Sequence, residues 1–367
     1  MKNINKIKPD KNKNPDTSNQ EGNLAKTVCG FIESKNLGNV LHNEHILFDQ
    51  STLLKKTTQP QSNKKEFNTA LPPETLGWIR HHGVQNINNF KMTNFDTAIS
   101  ELKFYKQFGG DSIVDVTNVD LGRDPVGLAK ISQITNINII MGSSPRISNK
   151  QIKLSEESIS DQIIKEINMG SDNSEITAGI IGEIRCTWPI DTINKKILVA
   201  SGYAQKLTGA PITIHPAKNL NSPQSILKIL EQSGTNLNQV ILNNLDKTVF
   251  EKSQFIDIVN SGCYIGLDLF GLEKSFTSIY PNTSIPNDGR RMDIIEYLIN
   301  NGFEEKILIS QNISTKDRLL SYGGHGYFYV LNQVIPRMKK RGFTKKIIEK
   351  LTQTNPQTAL SFKKVTS

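Results

Sequence analysis

VLHNEHILF, residues 40–48, is the first of eight short apolar runs, and its reading as a strand orders the whole chain. Successive side chains of a strand point to opposite faces, so Asn43 and His45 share one face and His42 is expected on the other. Polar groups on alternate positions at a strand's end can grip one ion together. That raises the question of whether this strand carries a metal site, the remains of one, or neither.

The seven runs that follow are SIVDVTN (112–118), INIIMGS (137–143), AGIIGEI (178–184), APITIHP (210–216), QVILNNL (239–245), CYIGLDL (263–269) and KILISQN (306–312). Between them lie segments whose apolar residues recur at three and four, often closed by Gly, which is the pattern of amphipathic helices with left-handed C-caps. Continuous apolar strands alternating with helices imply a parallel sheet covered on its faces. Eight such units in series predict an α/β fold, a TIM-like (β/α)8 barrel.

Residues 1–22 are nearly devoid of apolar side chains and read as a disordered tail. They lack the features of a signal or transit peptide. Residues 23–367 read as a single barrel domain, with 49–95 an insertion after the first strand. Apolar content is 36% and mean hydropathy −0.38. No run approaches the roughly 18 apolar residues of a membrane span. Cys29, Cys186 and Cys263 are odd in number and widely spaced, which points to a reducing, cytoplasmic setting and away from a disulfide framework or a cysteine zinc site. The net charge of +9 is spread without an arginine-rich stripe and partly sits in the tail, which argues against nucleic acid as a partner. A homo-oligomer is left open.

Chemistry in such a barrel gathers at the C-terminal ends of its strands. Those ends carry Asn43, His45, Glu183, His215, Asn244, Asp268 and Asn312. Each alone reads as a capping or loop group. An acid and two histidines converging from strands one, four and five read as a site.

The stretches GIIGEIRCTWPI (179–190), ITIHPA (212–217), NLDKT (244–248), LDLFG (267–271) and ISTKDRLLSYGGHGY (313–327) resemble the phosphotriesterase-related family of the amidohydrolase superfamily, from about Lys26 to Pro356. The resemblance implies an amidohydrolase-type barrel holding two divalent ions, usually zinc, that hydrolyses small phosphoesters, esters, lactones or amides. It further implies that His45, Glu183 and His215 match metal ligands of that pattern. Asn43 and Asn244 stand where it has histidines, and Asn312 where it has the strand-eight aspartate that handles the proton. Gln311 and Ser314 also stand where histidine is usual.

An amide offers zinc a carbonyl oxygen without charge or much basicity, and it cannot serve as a base. The expectation is therefore a degenerate copy that binds at most one zinc, weakly. The alternative is an active hydrolase using one divalent ion held by His45, Glu183 and His215. Asp268 and His325, in YGGHGY, are candidate contacts for a small ester or amide, each with a plain structural role as its competing reading. Trp78 reads as a packing anchor and His81 and His82 as surface residues. Asp124 reads as a helix cap ahead of Pro125, next to Arg123.

Overall fold

The computed structural model describes residues 23–51, 71–82, 86–143, 153–249, 251–274 and 284–363. The expected tail, residues 1–22, lies outside them. The side chains of His81 and His82 lie outside as well.

The chain opens with an antiparallel hairpin, β1 (Leu24–Thr27) and β2 (Gly30–Glu33). The first barrel strand, β3 (Val40–Glu44), follows, and then a short ribbon of β4 (Phe48–Asp49) and β5 (Lys91–Met92) at the two ends of the expected insertion. The remaining barrel strands are β6 (Ser112–Asp115), β7 (Asn138–Ser143), β8 (Ile180–Arg185), β9 (Ile212–His215), β10 (Val240–Leu242), β11 (Tyr264–Leu267) and β12 (Ile307–Ile309). Each is parallel to its neighbours, in the order β12-β11-β10-β9-β8-β7-β6-β3. The Asn312 amide donates to the Asn43 carbonyl at 3.1 Å, bringing the last strand's end against the first and nearly closing the barrel.

Alternation along the strands builds two cores. Val40, Val114, Ile140, Ile180, Ile241, Tyr264 and Leu308 pack together inside the barrel. Their neighbours Leu41, Ile113, Ile139, Ile181, Leu242, Ile265 and Ile307 face the helical layer. Helices start where the sequence supplies caps. The Asp124 side chain accepts from Gly127 N at 2.9 Å to begin Pro125–Thr135, and Asp191 accepts from Asn194 N at 2.7 Å to begin Thr192–Thr208. The hairpin closes the barrel floor. Leu24 bridges to Phe362, and Val28 N donates to the Ile139 carbonyl.

One expectation about β3 fails. His42 does not face away from the site. Against β6 the pairing runs Leu41↔Ile113 and then Glu44↔Asp115, so β3 carries one extra residue, a bulge. His42 keeps the inward face of Val40; a Cβ on Gly266 would lie 2.9 Å from its Nε2. Asn43 also turns inward and reaches Asp268. The bulge suspends the two-residue period on which the expectation rested. β8 has the same irregularity, Ile181↔Ile212 followed by Ile184↔Ile214, at Gly182 and Glu183. Gly182 has φ +114°, and a Cβ there would stand 2.2 Å from the Thr213 carbonyl, so only glycine fits.

Candidate active site

All the candidate strand-end residues meet at the barrel mouth, and the loop candidate His325 does not join them. Glu183 and Arg185, two residues apart on β8, share a face, and the carboxylate is 2% exposed. Glu183 Oε2 lies 3.0 Å from Arg185 Nε and 3.2 Å from His215 Nδ1. His45 comes up on β3 with Nδ1 2.9 Å from Thr117 Oγ1, and its buried Nε2 has no hydrogen-bond partner among the described residues.

Both imidazoles are neutral at pH 7. Burial, followed by the Arg185 charge, lowers His45 to about 3. Burial, followed by Lys247, lowers His215 to about 4. Burial would raise Glu183, but His215 and Arg185 outweigh it and hold the carboxyl well below the usual range. With His215 neutral, the cation hydrogen-bonded to Glu183 is Arg185, and the buried Lys247 also acts on the carboxylate electrostatically.

The three asparagines form a connected set. Asn312 Nδ2 donates to Asn244 Oδ1 at 3.0 Å. Asn244 N donates to Asp268 Oδ1 at 2.8 Å, and its Nδ2 lies 3.4 Å from His215 Nδ1. Asn43 Nδ2 donates to Asp268 Oδ2. Asn244 and Asn312 have φ of 56° and 49°, a left-handed conformation that Asn tolerates better than most residues. Asp268 is thus the centre of an amide network; burial, with Asp246 beside it, pushes its pKa well above the usual range. Among the described residues, no three His, Cys, Asp or Glu side chains stand so that they could hold a metal ion.

His325 lies to one side. Its Nε2 accepts from Arg318 Nε at 3.2 Å, which puts the ring proton on Nδ1, 3.0 Å from the Gly326 carbonyl. Arg318 also donates to the carbonyls of Asn312 and Phe270, tying the loops after β11 and β12 together. Gln311 turns its side chain away from the mouth, to the Gly326 carbonyl and the Val330 amide.

Sequence reasoning missed the carboxylates that brace the rim. Glu44 accepts from Ser310 Oγ, Gln311 N, Asn312 N and Ile313 N at 2.7 to 3.1 Å, latching the loop after β12 to the first strand. Asp115 does the same for the loop after β3, accepting from Ile46 N at 2.7 Å. Asp246 accepts from Leu269 N at 3.0 Å and from fully buried Arg291 at 2.7 Å. Arg185 was missed too, although its spacing from Glu183 announces a shared face.

The chain belongs to the phosphotriesterase family, whose model matches residues 23–360, and which comprises metal-dependent hydrolases, generally zinc enzymes. Among its relatives, a phosphotriesterase-related protein of Nematostella vectensis is 34% identical over 93% of this chain and 99% of its own length. An N-acetyltaurine hydrolase of Dictyostelium discoideum is 36% identical over 91% of this chain and 97% of its own. Among solved structures, a resiniferatoxin-binding protein from Rhodobacter sphaeroides superposes with a TM-score of 0.87 at 28% identity, covering 92% of this chain and 95% of that one.

Proposed function

We propose that this chain keeps the pocket of a small-molecule amide or ester hydrolase but does not assemble the two-metal centre. The observation that carries the reading is the amide network: the side chains of Asn43 and Asn244 go to Asp268, that of Asn312 goes to Asn244, and the Asn244 backbone amide also donates to Asp268. The donors fit a metal poorly. One ion would have His45 and Glu183, the other Glu183 and His215, where catalytic zinc takes three protein ligands. Asn312 has no proton-accepting carboxylate to offer a nucleophile.

The ligand class follows from the relatives. Hydrolases of N-acetyltaurine act on a small N-acyl compound, and this pocket is read as holding such amides or esters without turning them over. Three free cysteines suit a cytoplasmic setting, and among the described residues no helix is long and apolar enough to cross a membrane.

A second reading keeps activity with one ion held by His45, Glu183 and His215. The unpartnered Nε2 of His45 favours it. Arg185 on the shared carboxylate opposes it. Elemental analysis of the purified protein, with hydrolysis of N-acetyltaurine assayed before and after adding zinc, decides between them. We expect less than one ion per chain and no turnover. Bound metal in a fixed ratio together with zinc-dependent turnover would sink the degenerate reading.

A further inference from the structure

We infer that Arg185 is the resident cation of this site, standing against Glu183 where a divalent ion would need that carboxylate, and that it bars metal from the pocket. The inference rests on the reading of a degenerate centre and goes past it: the site is sealed against metal by a residue of its own, and is not merely short of ligands.

Glu183 belongs to both ion positions that the strand-end residues could support, so whatever commits Glu183 decides both. Its Oε2 already receives Arg185 Nε at 3.0 Å and His215 Nδ1 at 3.2 Å. A metal on that oxygen would have to displace the guanidinium or sit beside it, and like charges at that separation in a poorly solvated pocket repel strongly. His215 reaches the same oxygen through Nδ1, so the two side chains crowd it together.

The arrangement is built into the strand. Residues two apart on β8 share a face, so Arg185 needs no loop rearrangement to reach Glu183. A carboxylate 2% exposed requires a counter-charge, and the Arg185 guanidinium supplies one at hydrogen-bond distance, 3.0 Å. The Arg185 side chain is 36% exposed, which leaves room for it to swing out if removed from its partner. The barrier is therefore electrostatic, and deleting one side chain should lift it.

The test measures zinc and cobalt uptake by equilibrium dialysis and titration calorimetry, with the cobalt absorption bands reporting imidazole and carboxylate ligation. Four proteins are compared: the parent, Arg185→Ala, the triple variant Asn43→His/Asn244→His/Asn312→Asp, and the triple variant with Arg185→Ala added. We expect the parent and the triple variant to stay nearly metal-free. The fourfold variant should take up about two ions per chain, with zinc bound at least about tenfold more tightly than by the triple variant. A triple variant that fills both positions with Arg185 in place overturns the inference, and so does a folded fourfold variant that binds no better than the triple.

If circular dichroism shows that the fourfold variant does not fold, the single substitution decides. Arg185→Ala should then bind one cobalt ion that Glu183→Gln abolishes, and no gain over the parent overturns the inference. A parent that already binds two ions fails the underlying reading together with the inference, whereas a metal-free parent beside a triple variant that fills both positions fails the inference alone, so the two failures are told apart in one experiment.

Discussion

Arg185 Nε lies 3.0 Å from Glu183 Oε2, and that carboxylate oxygen also receives the imidazole of His215 from the neighbouring strand. The pair makes the mouth electrically self-sufficient. A buried carboxylate that in a metal hydrolase would be balanced from outside is balanced here from within the same strand.

Removing the guanidinium should cost stability. Arg185→Ala removes from Glu183 its ion pair and leaves the His215 hydrogen bond in place. The loss is expected at about 1–2 kcal/mol, toward the lower end because the arginine is partly solvated. Adding Glu183→Gln should recover part of it, since the uncompensated charge is then gone. Urea denaturation at pH 7 measures both; a double variant less stable than Arg185→Ala would contradict the charge argument.

The rim latch is open to a direct check. In Glu44→Ala, the Gln311 and Ile313 backbone amides of the loop after β12 lose their acceptor, and the Asn312 amide keeps only the Asn43 carbonyl. Stability should fall by about 2–4 kcal/mol. Hydrogen exchange at Gln311, Asn312 and Ile313 should accelerate more than exchange at Ile140 in the barrel wall. Uniform acceleration would mean that the latch is no local device.

Arg291 is fully buried and pairs with Asp246 at 2.7 Å and Asp288 at 2.8 Å. Arg291→Met strands two carboxylates, at an expected cost of about 3–5 kcal/mol. Adding Asp246→Asn and Asp288→Asn should return a substantial share. A fall in melting temperature that these additions leave unchanged would assign the loss to packing.

His325 gives a pH signature. Burial, then Arg318, lowers its pKa to about 3 from an ordinary 6.5. The folded protein thus refuses a proton that the unfolded chain accepts below about 6.5. The stability that neutral His325 contributes is complete above that pH and is lost as pH falls toward 3. His325→Gln should therefore be less stable than the parent at pH 7, with the gap narrowing by about 2 kcal/mol at pH 5. A gap that does not change with pH would show that the ring is protonated in the fold.

The barrel was legible because eight β-branched runs alternate with helical periods, and nothing else in the chain competes with that pattern. Seven of the eight runs contain their barrel strand, and β8 starts within its run and ends one residue past it, at Arg185. The floor hairpin was not legible: LAKT and GFIE are too short to stand out from a lead-in. His42 was misplaced because a bulge leaves no mark in the amino-acid alphabet. Asp268 appeared as a loose candidate contact, whereas its role as a hub depends on three asparagines that only the fold brings together. Arg185 could have been found as a candidate from its two-residue spacing to Glu183, although the bulge at Gly182 and Glu183 made that spacing a guide only.

The bulges of β3 and β8 have a consequence for how such a protein can change over generations. Asn43 and Glu183 are both presented to the lumen where an extra residue interrupts the ladder, while Val40, Val114, Ile140 and Ile180 inside the barrel sit at regular positions. The residues that hold the barrel and the residues that serve its mouth are therefore different residues. Exchanging a mouth side chain leaves the pairing of the sheet untouched, so a lineage can lose or remake the chemistry at this rim while the framework around it persists.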